Sequence, residues 1–333
     1  MVIIFVILLL IIIVIPFGIV IVKSKKGKVT SKTKILGMSF KDFMTLWVAF
    51  WGLFGVFFGV IQVQRQISNQ DNQIQIQKEQ FENQIQIQQK QLRETRFSSG
   101  VELLGNMNES ARIGGAYNLF FLANEYPDEY LIPVCEIFCA HIRTITSSKE
   151  YQIKHKTSNE IQTLINFLFK RNNTSLIFEH CNKNLQGTFL DGTNFKESKL
   201  DNVDFDYSTL LNIDFNYDTL TSVYCDNSKL KNITFRQNEL FSVYIQDAEV
   251  TNVNFFNSEL RNVRFGDSKL TNVKFPFSTL YWVRFDGAKL INIDFKYADI
   301  DAITLSGTIL DGHKLEDIEN RSRELTKKSY KKK

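Results

Sequence analysis

The chain has 333 residues, a formal net charge of +4 from 40 Lys and Arg against 36 Asp and Glu, and four cysteines. That length allows more than one domain, the small charge excess excludes a domain built on a basic field for nucleic acid, and so few cysteines exclude a disulfide framework and favour a reducing compartment. The averages conceal segregation: two apolar stretches open the chain, a glutamine-rich stretch follows, and lysines gather in a connecting loop and in the tail.

From Val2 to Val22 no residue is charged, and 21 residues of helix at about 1.5 Å each match the hydrocarbon core of a bilayer. A secretory signal is the rival reading, but no Lys or Arg precedes the run, the run is too long, and no small-residue cleavage site follows. A second uncharged run, Phe43 to Val63, carries Trp47 and Trp51 and is flanked by Lys41 and Arg65. Together the two runs predict a transmembrane hairpin, residues 1–64. Lys23, Lys25, Lys26, Lys28, Lys32, Lys34 and Lys41 lie in or beside the connection, so the positive-inside rule puts it in the cytoplasm and the rest of the chain outside. The unpaired cysteines argue for the opposite side.

Beyond the second span, Asn72-Gln-Ile-Gln-Ile-Gln77 recurs as Asn83-Gln-Ile-Gln-Ile-Gln88, an offset of eleven residues that corresponds to about 3.67 per helical turn. Val63, Ile67, Ile74, Phe81, Ile85 and Leu92 then form one stripe on a helical stalk, residues 65–96, suited to self-association as a coiled coil or to a lone helix leaving the membrane. Alternating Gln and Ile would also suit a strand, but flanking Lys, Glu and Arg and the lack of Gly or Pro favour helix. Residues 97–182 predict a small helical domain, with breaks at Gly105-Asn-Met-Asn and from Asn124 to Asp128.

The run Arg96-Phe97, Val101-Glu-Leu-Leu-Gly105, Arg112-Ile-Gly-Gly-Ala-Tyr117, Leu119, Ala123 and Ile142-Arg143 resembles the helical segment of membrane-anchored bacterial pentapeptide-repeat proteins. Asn159-Glu-Ile-Gln162 through Phe169 resembles the last helix of that family before its repeats. In the family this segment follows two spans and precedes the repeats, and the resemblance brings no catalytic residue, metal or cofactor with it.

Every fifth residue from Leu185 to Leu315 is apolar, 27 positions without a slip, with Phe195, Phe205, Phe215, Phe235 and Phe255 among them and Cys225 as the one thiol. A period of five fits neither a helix nor a strand, so stacked repeats must build one core. The resemblance to pentapeptide-repeat proteins implies a right-handed quadrilateral β-helix over residues 183–317, with the central residue and the one two places before it pointing inward. Val203, Ile213, Val223 and Ile233 precede the Phe-type positions and Ser208, Ser228 and Ser258 the Leu-type positions, which makes the true repeat ten residues and gives two Phe-lined and two Leu-lined faces. Asp218 and Asn238 break the small-residue rule and predict local distortion. Nearly seven coils at about 4.8 Å each predict a stack of about 30 Å. Asn202, Asn212, Asn232, Asn252, Asn262, Asn272 and Asn292 fall at one corner position of the repeat, where Asn tolerates unusual backbone angles. The helix from Ile161 to Lys170 is expected to cover one end of the stack and Glu316 to Arg323 the other.

No arrangement of His141, His155, His180 and His313 has metal or triad spacing, Cys135 and Cys139 read as two small core residues on one helix face, and His180-Cys181 reads as part of the solenoid cap. Gly114-Gly115 follows no strand and is no phosphate loop. Between Lys183 and Gly312 stand 18 Asp and Glu against 13 Lys and Arg, interleaved. The basic tail, residues 318–333, reads as a solvated end.

Folding the repeat at twenty residues per coil stacks Thr221-Ser-Val-Tyr224, Phe241-Ser-Val-Tyr244, Arg261-Asn-Val-Arg264 and Tyr281-Trp-Val-Arg284 on one side. Tyr224, Phe241, Tyr244, Arg261, Arg264, Tyr281, Trp282 and Arg284 then point outward with no acid among them, beside a more acidic side that carries Asp226, Asp247, Glu249, Asp267 and Asp286. Aromatic and Arg side chains together suit a centre that binds a protein partner or the chain's own helical domain, and they equally suit cross-strand and cation–π stabilisation of the outside of the coil. The sequence therefore describes a non-enzymatic, membrane-anchored scaffold that uses no cofactor, with the bilayer, a protein and a second copy of itself as partners and nucleic acid not among them. Two alternatives share the pattern: hairpins that oligomerise into a pore under control of the solenoid, and a DNA mimic that binds topoisomerase.

Overall fold

The computed structural model describes residues 34–35, 38–170 and 176–311. The expected first span Val2–Val22, the cover Glu316–Arg323 and the tail 318–333 lie outside these residues. Two compact units divide the chain, one ending at Gln89 and the other beginning at Lys90.

In the first unit two short strands, Lys34–Ile35 and Met38–Ser39, pair antiparallel ahead of helix α1, Phe40–Leu104. Ser39 Oγ accepts from Asp42 N at 3.3 Å and caps its first turn. With no proline inside it, α1 runs unbroken through the apolar stretch and the Gln-rich repeat and across the expected boundaries at 64/65 and 96/97. Among the described residues it is the one helix long and apolar enough to cross a membrane. The large side chains of its apolar stretch, Leu53, Val56 and Phe57 among them, face outward.

The second unit continues with α2 (Glu109–Glu125), α3 (Pro127–Thr146), α4 (Lys149–Ile153) and α5 (Asn159–Phe169). Asn108 caps α2 by accepting from Ser110 N at 2.8 Å, and Pro127 opens α3 where a missing N–H costs nothing. Gly115 has a packing role: a Cβ there would meet Gly100 O at 2.7 Å and Leu104 N at 2.6 Å, so only glycine lets α2 lie against the end of α1. One buried carboxylate ties three helices together. Glu160 on α5 accepts from Arg112 Nε and Nη2 on α2 at 2.7 and 2.8 Å, and faces His141 Nε2 on α3 at 2.5 Å. Burial alone would raise its pKa, but the hydrogen bonds from His141 and Arg112 prevail and hold the carboxyl below its ordinary range.

The solenoid winds twenty residues per coil. One parallel sheet of seven strands runs from Lys183–Asn184 to Asp299–Thr304, and a second of eight runs from Phe189–Asp191 to Ile309–Asp311. Leu200, Leu220, Leu240, Leu260, Leu280 and Ile300 stand in direct register along the first sheet. Inside, Phe195, Phe215, Phe235, Phe255, Phe275 and Phe295 form a column of nearly parallel rings with centroids 4.8 to 5.1 Å apart. The opposite Phe column is shorter: Phe265 stacks on Phe285 at 5.2 Å, and Cys225 and Ile245 occupy its middle rungs.

The small inward residues are more than fillers. Ser208 Oγ accepts from Thr188 N, Ser228 Oγ from Ser208 N and Ser268 Oγ from Ala248 N, at 2.9 to 3.2 Å, each reaching back one coil. Asp218 and Asn238, expected to distort the stack, join this ladder: Ser198 N donates to Asp218 Oδ1 at 2.6 Å and Asp218 N to Asn238 Oδ1 at 3.1 Å. The position selects an oxygen as well as a small volume, and the register around both residues is unshifted. The irregularity lies elsewhere, between Tyr281 and Ala302.

Each corner holds a residue with positive φ, from Gly187 through Tyr297 at five-residue spacing. The recurrent Asn residues divide between two corners. Asn212, Asn232, Asn252, Asn272 and Asn292 line one of them, each side-chain amide donating to the preceding rung at 2.6 to 3.0 Å. Asn202 and Asn262 stand on another, with Ser222, Ser242 and Trp282.

The helices cover the first coil. Phe169 packs on Phe195 with centroids 5.8 Å apart, Gln162 exchanges two hydrogen bonds of 2.9 Å with the backbone of Asn194, and Arg143 donates to Asn184 O.

Two expected outcomes follow. Phe235→Asp buries an unpaired charge in the ring column, so the chain should aggregate or lose its β-type circular dichroism; a soluble variant with unchanged melting would place Phe235 outside the core. Glu160→Gln strips a buried pair of its charge, a change that costs about 3–5 kcal/mol when one partner is removed. Because the folded-state pKa of Glu160 is depressed, its stabilisation is present above the ordinary carboxyl range and lost as pH falls through and below it. Urea melts at several pH values should show a smaller acid-side loss in the variant.

Candidate functional site

The outward face is built by strands Thr219–Tyr224, Glu239–Tyr244, Glu259–Arg261 and Thr279–Arg284. Phe241 pairs with Thr221 and Arg261, and Arg261 with Tyr281. Tyr244 pairs with Tyr224 and bridges to Arg264, which bridges to Arg284. All eight residues expected from the repeat therefore assemble as two columns and a corner. Tyr224 and Tyr244 stack at 5.0 Å, and the Arg264 guanidinium lies 5.0 Å from the Tyr244 ring. Arg261 stands 6.0 Å from the Tyr281 ring, which stacks on Trp282 at 5.2 Å. Trp282 is 60% exposed and Phe241 52%.

Two features of the charge pattern differ from the expectation. The face is not free of acid, because its strands begin two residues earlier, at Glu239 and Glu259, and Glu259 pairs with Arg261. Nor does Glu249 extend the acidic side: it sits in register between Lys229 and Lys269 and pairs with Lys229 at 3.4 Å. Asp206, Asp226 and Asp286 do line one column, where they accept backbone N–H groups of the next coil, as Asp206 does from Asp226 N at 2.7 Å. Burial, and then the charges of Asp204 and Asp226, push the Asp206 carboxyl above its ordinary value.

A second aromatic strip escaped the sequence reading. Arg236 lies 5.5 Å from the Phe256 ring, Phe256 meets Phe277 at 5.8 Å, Phe277 stacks on Tyr297 at 5.0 Å, and Lys296 stands 5.0 Å from Tyr297. The signal was present: Phe256, Phe277 and Tyr297 fall one or two places after inward Phe255, Phe275 and Phe295.

At the capped end Lys183 is fully buried on an inward repeat position. Its ammonium donates to Glu179 O, Cys181 O and Asp201 O at 2.8 to 3.0 Å, and burial lowers its pKa. Glu179, His180 and Asp201 place ligand-type atoms within 4.8 Å of one another, but Glu179 already pairs with Lys199, whose ammonium takes up the charge attraction a metal ion would use. Cys181 meets Cys135, which also meets Cys139, and all three are buried free thiols. The hydrogen bond with Cys139, with burial, pushes the Cys135 thiol up to about 12. Cys181 is raised by its bond to Cys135 and by burial, and Cys225 by burial in the solenoid. Thiols held protonated in this way are poor nucleophiles.

The family model for pentapeptide repeats, eight copies, matches residues 184–216. No curated protein sequence matches the chain. Among solved structures, the pentapeptide-repeat protein Rfr23 from the cyanobacterium Cyanothece 51142 is similar at 18% identity and a TM-score of 0.27, over 28% of this chain and 64% of that one. QnrB1, a plasmid-mediated fluoroquinolone resistance protein, is similar at 15% identity and a TM-score of 0.19, over 41% of this chain and 82% of that one. A pentapeptide-repeat protein from the Arabidopsis thaliana thylakoid lumen is similar at 14% identity and a TM-score of 0.22, over 33% and 66%. The chain thus carries a pentapeptide-repeat β-solenoid preceded by an α-helical region, an assignment that rests on the matched repeats and the twenty-residue register.

The thiols give a direct check. Iodoacetamide at pH 8.5 should leave Cys135, Cys139, Cys181 and Cys225 unmodified in the native chain and label all four after denaturation. Rapid native labelling of Cys135 or Cys181 would contradict the packing at the cap.

Proposed function

We propose that this chain is a non-enzymatic scaffold, anchored in a membrane through its N-terminal apolar segments, whose solenoid docks a protein partner on the face from Tyr224 to Arg284. The observation that carries the reading is Trp282. Its backbone has φ 56°, the left-handed corner conformation that the solenoid repeats every five residues and that Tyr207, Tyr217, Phe277 and Tyr297 also adopt. The same corner of the preceding coils holds Asn202, Ser222, Ser242 and Asn262. Trp282 instead presents an exposed indole, braced on Tyr281 and flanked by Arg261 and Arg284. Rigid aromatics beside arginines supply contact area at low entropic cost and suit the centre of a protein interface. The apolar, outward-facing stretch of α1 supports membrane anchoring, since its 18-residue window has mean hydropathy 2.0 with no share of it buried.

One observation favours a second reading. The column Asp206, Asp226 and Asp286, beside corner residues Asp247 and Asp267, is a row of negative charge at coil spacing that a DNA mimic would offer to a topoisomerase.

Three measurements test these readings. The chain should stay in the membrane pellet through an alkaline carbonate wash, and release would remove the anchor. Changing Arg261, Trp282 and Arg284 together to Ser should reduce partner recovery from detergent extracts at least tenfold while melting shifts by only a few degrees, since exposed substitutions cost little. Undiminished recovery, or melting that collapses with it, would make the face structural. Inhibition of gyrase supercoiling by the chain, lost on Asp206→Asn with Asp226→Asn, would select the mimic instead.

A further inference from the structure

We propose that α1 pairs in parallel with α1 of a second copy of this chain, along one seam from Gly52 to Ile85. The seam is independent of the solenoid face and of whatever docks there. It follows from the eleven-residue offset of the stalk. Eleven residues make three turns of a helix wound at about 3.67 residues per turn, so residues eleven apart return to one line facing a partner. Gly52, Val63, Ile74 and Ile85 are spaced by eleven, and Gly59, Gln70 and Phe81 form a second such line seven residues further along. Since α1 is unbroken, both lines pass from the apolar stretch into the stalk on one side of a single helix.

That side has no neighbour among the described residues. Val63, Ile74, Phe81 and Ile85 are all exposed, and a Cβ at Gly52, Gly55 or Gly59 would meet nothing within 4 Å. Of the chain outside the described residues, Val2–Val22 is the one stretch apolar enough to cover a helix face, and its 21 residues match the apolar stretch Phe43–Val63 in length. Ile67 to Ile85 would stay bare, because residues 23–33 and 312–333 are rich in lysine. A second molecule is the cover this face is shaped to take.

Three features commit it to a second copy. An eleven-residue repeat is the pattern of helices that coil with their like, and it supercoils to the right. Gly55 and Gly59 have the four-residue spacing that lets two apolar helices cross closely, also with a right hand. Both halves of the seam therefore ask for the same crossing sense. Flanking charge does not oppose pairing: between Gln64 and Gln89 stand Arg65 and Lys78 against Asp71, Glu79 and Glu82, with Lys78 and Glu82 already paired at 4.0 Å. Parallel alignment puts glycine opposite glycine where backbones approach and leaves Gln70 facing Gln70, a polar pair on an apolar seam that fixes register. Antiparallel alignment would set the glycines against Phe81 and Ile85 and forfeit the close approach.

Disulfide trapping on the full chain in mild detergent tests the seam, since the native thiols are buried. Ile74→Cys should form covalent dimers under copper-phenanthroline oxidation. Ile76→Cys, two residues on and therefore on the opposite side of the helix though also exposed, should trap at least tenfold less. Separately, Ile74→Lys combined with Ile85→Lys should shift the mass measured by light scattering from dimer to monomer while the β-type circular dichroism of the solenoid is retained. Equal trapping at both positions, no trapping at Ile74→Cys, or a double variant that remains a dimer would overturn the proposal. So would preferential trapping between Val63→Cys and Ile74→Cys chains mixed together, since that outcome requires the antiparallel alignment that sets Gly52 against Ile85.

Discussion

Stacking of identical inward positions every twenty residues is the constraint on which this solenoid depends. A single coil of four pentapeptides has no core of its own; its Phe and Leu side chains are buried only by the coil above and the coil below. Register therefore has to be kept without a slip, and three devices keep it. The phenylalanine column fixes ring on ring, the serine-type position sends an oxygen back one coil to a backbone N–H, and the asparagine corner links successive turns by side-chain amides. Asp218 and Asn238 show which requirement dominates at the second position. Both are larger than serine, yet the register holds because each still offers an oxygen acceptor at the right place.

A stack of this kind has ends, and the first end is where the α-helical region acts. Helices α3 and α5 supply the apolar surface that a preceding coil would have supplied, with Phe169 meeting Phe195. Lys183 closes the polar side of that end by filling three backbone carbonyls with one ammonium, which leaves each proton satisfied despite complete burial. Glu160 holds the helices themselves together and so acts on the solenoid indirectly. Cap and solenoid belong to one compact unit.

Because the interior is fully committed to stacking, variation is free only on the outside, and the outside is where this chain departs from a uniform repeat. Aromatic and cationic residues gather on the later coils, on the expected face and on the strip of Phe256, Phe277 and Tyr297. Carboxylates gather on the neighbouring column, where they also serve as backbone acceptors. These columns are one residue wide and one coil apart, so a surface of any chosen chemistry can be written onto the solenoid without touching its core.

The sequence by itself determined the repeat, because a period of five recurring from Leu185 onward fits neither helix nor strand, and the resemblance to pentapeptide repeats implied the twenty-residue coil that puts those positions inside. It also determined the helix breaks at Gly105 and before Pro127, and it placed the eight face residues on neighbouring rungs, since twenty-residue spacing is arithmetic. Only the tertiary structure decided contacts that join distant parts of the chain. Nothing in the spacing announces that Cys181 and Lys183 join the Cys135 and Cys139 face, nor that Arg112, His141 and Glu160 share one buried charge cluster, because packing between helices is set by side-chain shape rather than by any period. The same reason explains Glu259 beside Arg261 and Glu249 between two lysines. Outward neighbours depend on where each strand begins and which corner it turns, and those boundaries are fixed by backbone hydrogen bonds that the residue pattern alone leaves open.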